Sequence, residues 1–523
     1  MHRAELASFG LIAGLTLAMA PAVAAPFSCP RMGGDFVFGQ EANVNSLDIM
    51  TSASVSTRNA ALNIFETLVA RDENGNVIPD FADSVTEAPD RLSYTFRLRQ
   101  GAKFHNGKPV TAADVAASYE RYNRIGLTRS IFSKVAGWDT PDAGTFVIRM
   151  KEVQPVFLEL LSSFLAPPVI VPAEFKDDPP QQLHSVGSGP WKLDEFMPGS
   201  FVRLVRYEGY VPNRNFEQRT GFAGYQQACF DTVTIRIVPE PGARVAGLRT
   251  GELQGVEDIP TKSVAELKGD KNITLVPMYN WFILIALPNT SRAPTDNLAF
   301  RKAVQAALDM DEIMDAATDG NYRLNVGLQY PNQPAYTDAG KETYNQHNPA
   351  LAKQYLVEAG YKGAPLVLMT NKDYASMYNA ALVMAEQLKA VGVNAQMRVL
   401  DWPSAVQTGH NPNGGWNYYF TGWASETALG PLGVMQDLTP PNILFRPRDP
   451  NGIAELNGAY VDMTQKVDPK ERQEAWVRVQ TIVLDRAYAL PFGSVTKIQA
   501  VRSNVQGFTP FRIPRMSNVW FSN

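Results

Sequence analysis

The stretch from Tyr94 to Val115 dictates strand, turn and helix in immediate succession, and any fold for this chain has to accommodate it. Tyr94, Phe96 and Leu98 alternate with Thr95, Arg97 and Arg99, so one face is apolar and the other polar, the pattern of a half-buried antiparallel strand. Gly101 breaks the strand, Lys103-Phe104-His105 resumes it, and Asn106-Gly107 supplies the two positive-φ positions of a type I′ hairpin turn. Val110 leads into a helix. Thr111 is its N-cap, Asp114 stands three residues on as the carboxylate variant of a capping box, and Val115, Ser118, Tyr119 and Tyr122 recur at helical spacing.

With the Phe65-Glu66-Thr67-Leu68-Val69 run that precedes it, this stretch closely resembles the signature of one family, the family-5 extracellular solute-binding proteins, which are the peptide, nickel and oligosaccharide receptors of ABC importers. Members carry tyrosine-x-phenylalanine-x-leucine-arginine-x-glycine-x-x-phenylalanine-histidine-x-glycine and then threonine-alanine-x-aspartate-valine, and Tyr94 to Val115 fits throughout. These residues mark a fold and carry no chemistry of their own. The resemblance implies an α/β, two-lobed periplasmic binding protein, type II-like, with an extra subdomain inserted in the first lobe. It further implies a receptor serving an ABC permease of the inner membrane, and family analogy admits nickel or haem as ligand, although no His or Cys cluster suggests either; the expectation is a monomer without cofactor and not an enzyme.

The amino terminus reads as an export signal. Arg3 gives a short basic region, Phe9 to Ala20 an apolar one, and Ala22-Val23-Ala24 a small-residue cleavage site near Ala24/Ala25, which places the expected protein in the periplasm. Pro26-Phe27-Ser28 is a poor match to the run expected before a lipidated cysteine at Cys29. A chain of 523 residues exceeds what one core supports. Its net charge of −4, evenly scattered, gives no basic footprint for nucleic acid or anionic lipid.

The only two cysteines, Cys29 and Cys229, read as one disulfide in an exported protein. Each lies shortly before a strand-like segment, Asp35-Phe-Val-Phe and Thr232-Val-Thr-Ile-Arg-Ile-Val, and in the resembled fold those strands are parallel neighbours. A helix capped by Thr57, with Ala61, Leu62, Phe65 and Leu68 on one face, follows the first. Strand, helix and short strand after Thr232 imply a parallel sheet with right-handed crossovers. The expected plan is a signal peptide over 1–24, first lobe over 25–70, inserted subdomain over 71–200, first lobe again over 201–275, second lobe over 276–487, and a C-terminal return to the first lobe over 488–523. Chain crossings between lobes, with no flexible linker, form the expected hinge.

Function is expected in Gly414 to Glu426, whose five aromatic residues are bracketed by glycines. In the resembled peptide receptors a glycine-tryptophan pair ends a strand at the cleft, and an aspartate three residues on holds the ligand's ammonium group; here that spacing selects Trp423 and Glu426. Tyr419 is a further wall candidate, and Trp281, Gln40 and Glu41 sit at strand ends or crossings, where α/β clefts bind ligands. Some members carry an arginine three residues before that tryptophan. This chain has Phe420, which weakens the case for a peptide carboxylate at that spot and raises that for a sugar. The expected ligand is a small solute, a short peptide first, with an oligosaccharide or opine as the alternative.

No G-x-G-x-x-G, P-loop, H-E-x-x-H or Cys-x-x-Cys occurs, and the five histidines do not cluster, so neither a metal nor a catalytic centre is expected. Outside the family the alternative is a periplasmic hydrolase using two carboxylates, which would leave no local signature. Ser188 lies in Gly187-Ser-Gly-Pro-Trp and lacks a nucleophile elbow, so it reads as a turn residue.

Overall fold

The structure, a computed structural model, describes residues 25–331, 333, 335–411, 413–423, 431, 450–511 and 513–522. It is organised around two long antiparallel strands, Ile273–Pro288 and Leu490–Arg502, at the centre of an 11-stranded sheet. On one side of them lie Gly255–Val256, Asp35–Gln40 and Thr232–Ile237, all parallel, and then the antiparallel strands Phe201–Arg206 and Trp191–Met197. On the other side lie Tyr418–Trp423, Leu366–Asn371 and Ala395–Leu400, parallel to one another. The two-lobed architecture therefore shares one sheet, with register shifts between its two longest strands at Met278/Phe282 and Leu284/Ile285.

Two large cores flank the crossing. One gathers residues from Met278 to Val495 with Ala42, the other residues from Phe36 to Val276 together with Val501, Val505, Met516 and Val519. Burying these residues removes most of the apolar surface of both lobes from water, which is the main driving force for folding. Among the described residues no helix is long and apolar enough to cross a membrane.

The signature stretch forms the strand Ser93–Leu98 in a four-stranded antiparallel sheet, with Tyr94, Phe96 and Leu98 buried, and the helix Ala112–Ile125. Asp114 Oδ2 accepts hydrogen bonds from the Thr111 backbone N–H at 2.9 Å and its hydroxyl at 2.7 Å. The turn between differs from the type I′ expectation. Of Asn106 and Gly107 only Gly107 has positive φ, at 85°, and Lys103 pairs with Pro109 as an isolated bridge. The reason is His105. Its backbone N–H donates to Gly187 O at 2.9 Å and its ring lies between Gly187 and Gly189, so the turn is set by a distant loop. Gly187 approaches so closely that a Cβ there would stand 2.1 Å from Ile64 O.

Glu66 gathers the other signature residues. It pairs with Arg99 at 2.9 Å and accepts from the Ser188 hydroxyl at 2.7 Å and from Tyr210 Oη at 3.3 Å. Arg99, on the expected solvent face, is buried instead, donating also to Val211 O and Asp80 O at 2.6 Å each. The first helix begins at Val55 with Ser54 as N-cap, earlier than the expected cap at Thr57, whose hydroxyl donates to Ser46 O at 3.1 Å. Cys29 and Cys229 form a disulfide with Cα atoms 5.6 Å apart, because Asp35 pairs with Thr232 in parallel register just beyond.

Candidate functional site

A lysine in the middle of a buried strand requires partners, since an unpaired buried charge costs several kcal/mol. Lys497, on the long strand Leu490–Arg502, is 4% exposed, and its Nζ lies 2.7 Å from Glu41 Oε1 and 3.3 Å from Glu257 Oε1. The ammonium also sits over two rings, 4.6 Å from the centroid of Trp281 and 5.7 Å from that of Tyr374, a cation–π arrangement. Topology brings these groups together. Glu41 and Glu257 each follow the carboxyl end of a parallel strand in the first lobe, Trp281 comes from the other crossing strand, and Tyr374 precedes the helix Ala375–Ala390 of the second lobe.

The charges in this cluster hold one another. Burial works against the Lys497 ammonium, yet the carboxylates of Glu257, Glu41 and Asp258 keep its pKa above the ordinary lysine value. Burial likewise opposes the Glu41 carboxylate, but Lys497 and Arg244 hold its pKa below the usual range. Asp258, buried beside the Glu41 charge, is pushed up to about 7. Behind them, Asn59 Nδ2 donates to Gln40 Oε1 at 2.7 Å and to Glu257 Oε1 at 3.3 Å, and the Glu41 N–H donates to Glu257 Oε2 at 3.1 Å. Arg244 donates to the carbonyls of Val238, Pro239 and Asp258 at 2.8–3.2 Å, which ties the strand ends to the helix Pro241–Thr250.

Glu41, Trp281, Tyr374 and Lys497 open onto a cavity of about 580 Å3 between the lobes. That volume is within the roughly 300–1,000 Å3 common for small-solute sites. First-lobe residues 239–241 and 258–262 form one wall, and second-lobe residues 316–319 and 372–376 the other. The lining carries both signs of charge, with Glu41, Glu240, Asp258, Asp319 and Asp373 against Arg244, Lys262, Lys372 and Lys497. A second cavity of about 180 Å3 is lined by Ser46, Ser54, Thr57, Gln407 and His410 among others, none of them acidic, and burial holds the His410 pKa below the ordinary value. Trp402 stands between the two. Its indole N–H donates to Ser54 Oγ at 3.0 Å, its ring meets that of Tyr374 edge-on at 5.1 Å, and its backbone N–H donates to Asp373 at 2.8 Å.

Of the sequence candidates, Glu41 and Trp281 are brought together about Lys497 and line the larger cavity. Gln40 is fully buried behind them, its Nε2 donating to Ala42 O at 2.7 Å, so it shapes the turn that presents Glu41 and does not line the cavity. Tyr419 is 2% exposed and meets Trp416 at 6.1 Å inside the second lobe, away from the cavity lining. Trp423 is 3% exposed and pairs with Ile283, one residue along from the lining residue Phe282; its indole N–H has no hydrogen-bond acceptor among the described residues. Glu426 lies outside the described residues. Lys497, Glu257, Tyr374 and Arg244 were not legible as site residues. Lys497 alone gave a signal, as a cation within the apolar run from Leu490 to Val501, where only a partnered charge can stand.

Residues 76–442 match the model of the bacterial extracellular solute-binding proteins, family 5 middle region. A probable peptide ABC transporter periplasmic-binding protein of Sinorhizobium fredii is 30% identical over 403 residues, 74% of this chain and 75% of that one. The glutathione-binding protein GsiB of Shigella dysenteriae is 26% identical over 524 residues, 97% of this chain and 96% of the other. Among solved structures, the agropinic acid complex of AgaA from A. tumefaciens R10 superposes with a TM-score of 0.80 at 22% identity, covering 94% of this chain and 99% of that one. The nonapeptide complex of the Bacillus subtilis oligopeptide-binding protein AppA gives 0.80 at 20% identity, covering 94% and 100%. The chain belongs to family 5 of the bacterial extracellular solute-binding proteins, the receptors that bind solutes for ABC importers.

Proposed function

We propose that the protein captures a short zwitterionic solute, a short peptide in first place, in the cavity between its lobes and hands it to an ABC permease of the inner membrane. The observation that carries this reading is the position and charge of the cavity: it lies at the carboxyl ends of parallel strands from both lobes, and its lining offers acids and bases in near balance. A solute touching both walls binds the closed arrangement better than the open one, and that differential affinity closes the lobes. Residues 25–275 with the C-terminal return form one jaw and 276–487 the other, hinged at the crossing strands. The Gly-Trp-x-x-acid spacing assigns Glu426 to a cationic group of the ligand, and Trp423, whose strand partner Ile283 is next to the lining residue Phe282, to an apolar wall. The 30% identical relative described as a probable peptide-binding protein supports the peptide reading.

The same reading makes the protein a monomer working in the periplasm after removal of residues 1–24, and a receptor without turnover. Native mass spectrometry of protein purified from its own host identifies the occupant. Calorimetry with peptides and with neutral sugars then ranks the two classes, and small-angle scattering reads closure as a smaller radius of gyration. A neutral sugar as the only occupant and the only tight binder refutes the peptide reading, and recovery of a chemically altered solute refutes the absence of turnover.

A further inference from the structure

Phe420 is buried against Phe492 at 5.9 Å, and the strand Tyr418–Trp423 carries no cation that could meet a ligand carboxylate. The larger cavity offers a specific place. Lys262, in the first turn of the helix Thr261–Lys268, lines its first-lobe wall, and Lys372, just before the helix Ala375–Ala390, lines its second-lobe wall. Both are exposed. Neither pairs with a carboxylate among the described residues, whereas Lys497 is held by Glu41 and Glu257, and Arg244 by three carbonyls. The amino ends of those two helices border the same cavity, and their caps, Pro260 and Tyr374, contribute no side-chain hydrogen bond, so their positive ends add to the lysines. Tyr374, 5% exposed and lining the cavity, has a hydroxyl without a hydrogen-bond partner among the described residues.

We infer that the cavity selects a solute bearing an anionic group, which Lys262 of the first lobe and Lys372 of the second hold between them. This rests on the solute-receptor reading and adds the chemistry of one end of the ligand. The physical argument is one of closure. As the walls approach, two like charges on opposite sides repel, and an anion between them turns that repulsion into two charge-assisted contacts that exist only when the lobes are together. The acids of the lining leave this place open. Glu41 is engaged by Lys497, Asp373 accepts from Trp402, and Asp258 Oδ1 accepts from the Ile498 N–H at 3.4 Å. Glu240 and Asp319 are exposed at the same cavity, one on each lobe, and suit the cationic end of the same solute. A competing arrangement is visible too. Thr261 Oγ1 donates to Thr318 O at 3.4 Å, so the segments carrying Lys262 and Asp319 already touch, and a direct pair between those two residues is the alternative to be tested.

The test uses Lys262→Gln, Lys372→Gln and the double variant of the full chain, with folding checked by circular dichroism. Because both lysines are exposed, the variants retain the fold. Two probes are applied. Inorganic phosphate, at matched ionic strength against chloride, should raise the thermal midpoint of the wild type and leave the double variant unmoved. Trialanine should bind the wild type about tenfold or more tighter than trialanine amide, and most of that ratio should vanish in the double variant. Equal affinity for acid and amide, a ratio that survives in the double variant, or no phosphate effect on the wild type overturns the inference. A loss in Lys262→Gln that Asp319→Asn reproduces for both acid and amide also overturns it, in favour of a direct lobe-to-lobe pair. If neither trialanine probe binds while the phosphate effect is present and lysine-dependent, the anion site stands and the peptide reading falls.

Discussion

Replacing His105 by glutamine should flatten the dependence of folding stability on pH below neutrality. The imidazole is buried between two glycines: Nδ1 accepts from the Gly187 N–H at 3.3 Å and Nε2 donates to Gly189 O at 3.0 Å, which only the neutral ring protonated on Nε2 can do. Burial, set against the bond to Gly189, pushes the pKa down to about 4 from 6.5. A fall of about 2.5 at roughly 1.4 kcal/mol each is worth about 3.5 kcal/mol of folding free energy. The folded pKa lies below the unfolded one, so the unfolded chain takes up the proton first. The contribution is complete above pH 6.5, declines as pH falls toward 4, and is gone below it. Asp80 and Asp258 act in the opposite sense, because burial pushes both up to about 7 and they hold protons in the fold that the unfolded chain releases. They are common to both proteins and cancel in the difference. Urea denaturation of wild type and variant at pH 7 and at pH 4.5 measures that difference directly. The variant should be less stable at pH 7 by about 1–3 kcal/mol, and the gap should shrink by a similar amount at pH 4.5. Parallel pH profiles, or an imidazole resonance titrating near 6.5, would refute the reasoning.

Cys29→Ser should destabilise by about 5 kcal/mol on the chain-entropy model for a loop of 200 residues, read as a lower urea midpoint, and thiol titration of the denatured wild type should find no free cysteine. Lys497→Met leaves Glu41 and Glu257 buried without their counter-ion and should cost about 3–5 kcal/mol in the same denaturation assay, with Lys497→Arg milder; a loss below about 1 kcal/mol would remove the cluster from the account of the fold. Glu426→Gln should weaken an amine-bearing ligand by well over about tenfold and a neutral sugar far less, while Trp423→Ala should weaken both, measured by calorimetry against wild type; unchanged affinity in both variants moves the anchor to Glu41 and Trp281.

Local structure was legible wherever neighbouring residues determine it. Asp114 bonding back to Thr111, Asn348 accepting from the Leu351 N–H at 3.0 Å and Asp468 from the Lys470 N–H at 2.8 Å are caps of the kind that type and spacing announce. What escaped was set by distant residues. The strand Ile273–Pro288 runs unbroken through the boundary expected at residues 275 and 276, and a register shift between Met278 and Phe282 breaks the two-residue alternation that would have announced it. Arg99 reads as a surface residue because its partners Glu66, Asp80 and Val211 come from other segments.

The candidate site shows the same division with a functional consequence. A cluster of aromatic residues cannot tell a cleft from a core, and the rings from Trp416 to Trp423 divide between them: Tyr419 packs on Trp416 and Phe420 on Phe492, while Trp423 lies beside the residues that line the cavity. Charge is a better guide, because burial is tolerated only where topology supplies a partner. Lys497 is such a case. Its carboxylate partners come from the first lobe, the rings above it from the crossing strand and the second lobe, and it stands near the register shift of the crossing strands. The ammonium thus meets groups from both sides of the crossing strands while lining the cavity, which is why no local sequence pattern could assemble this cluster.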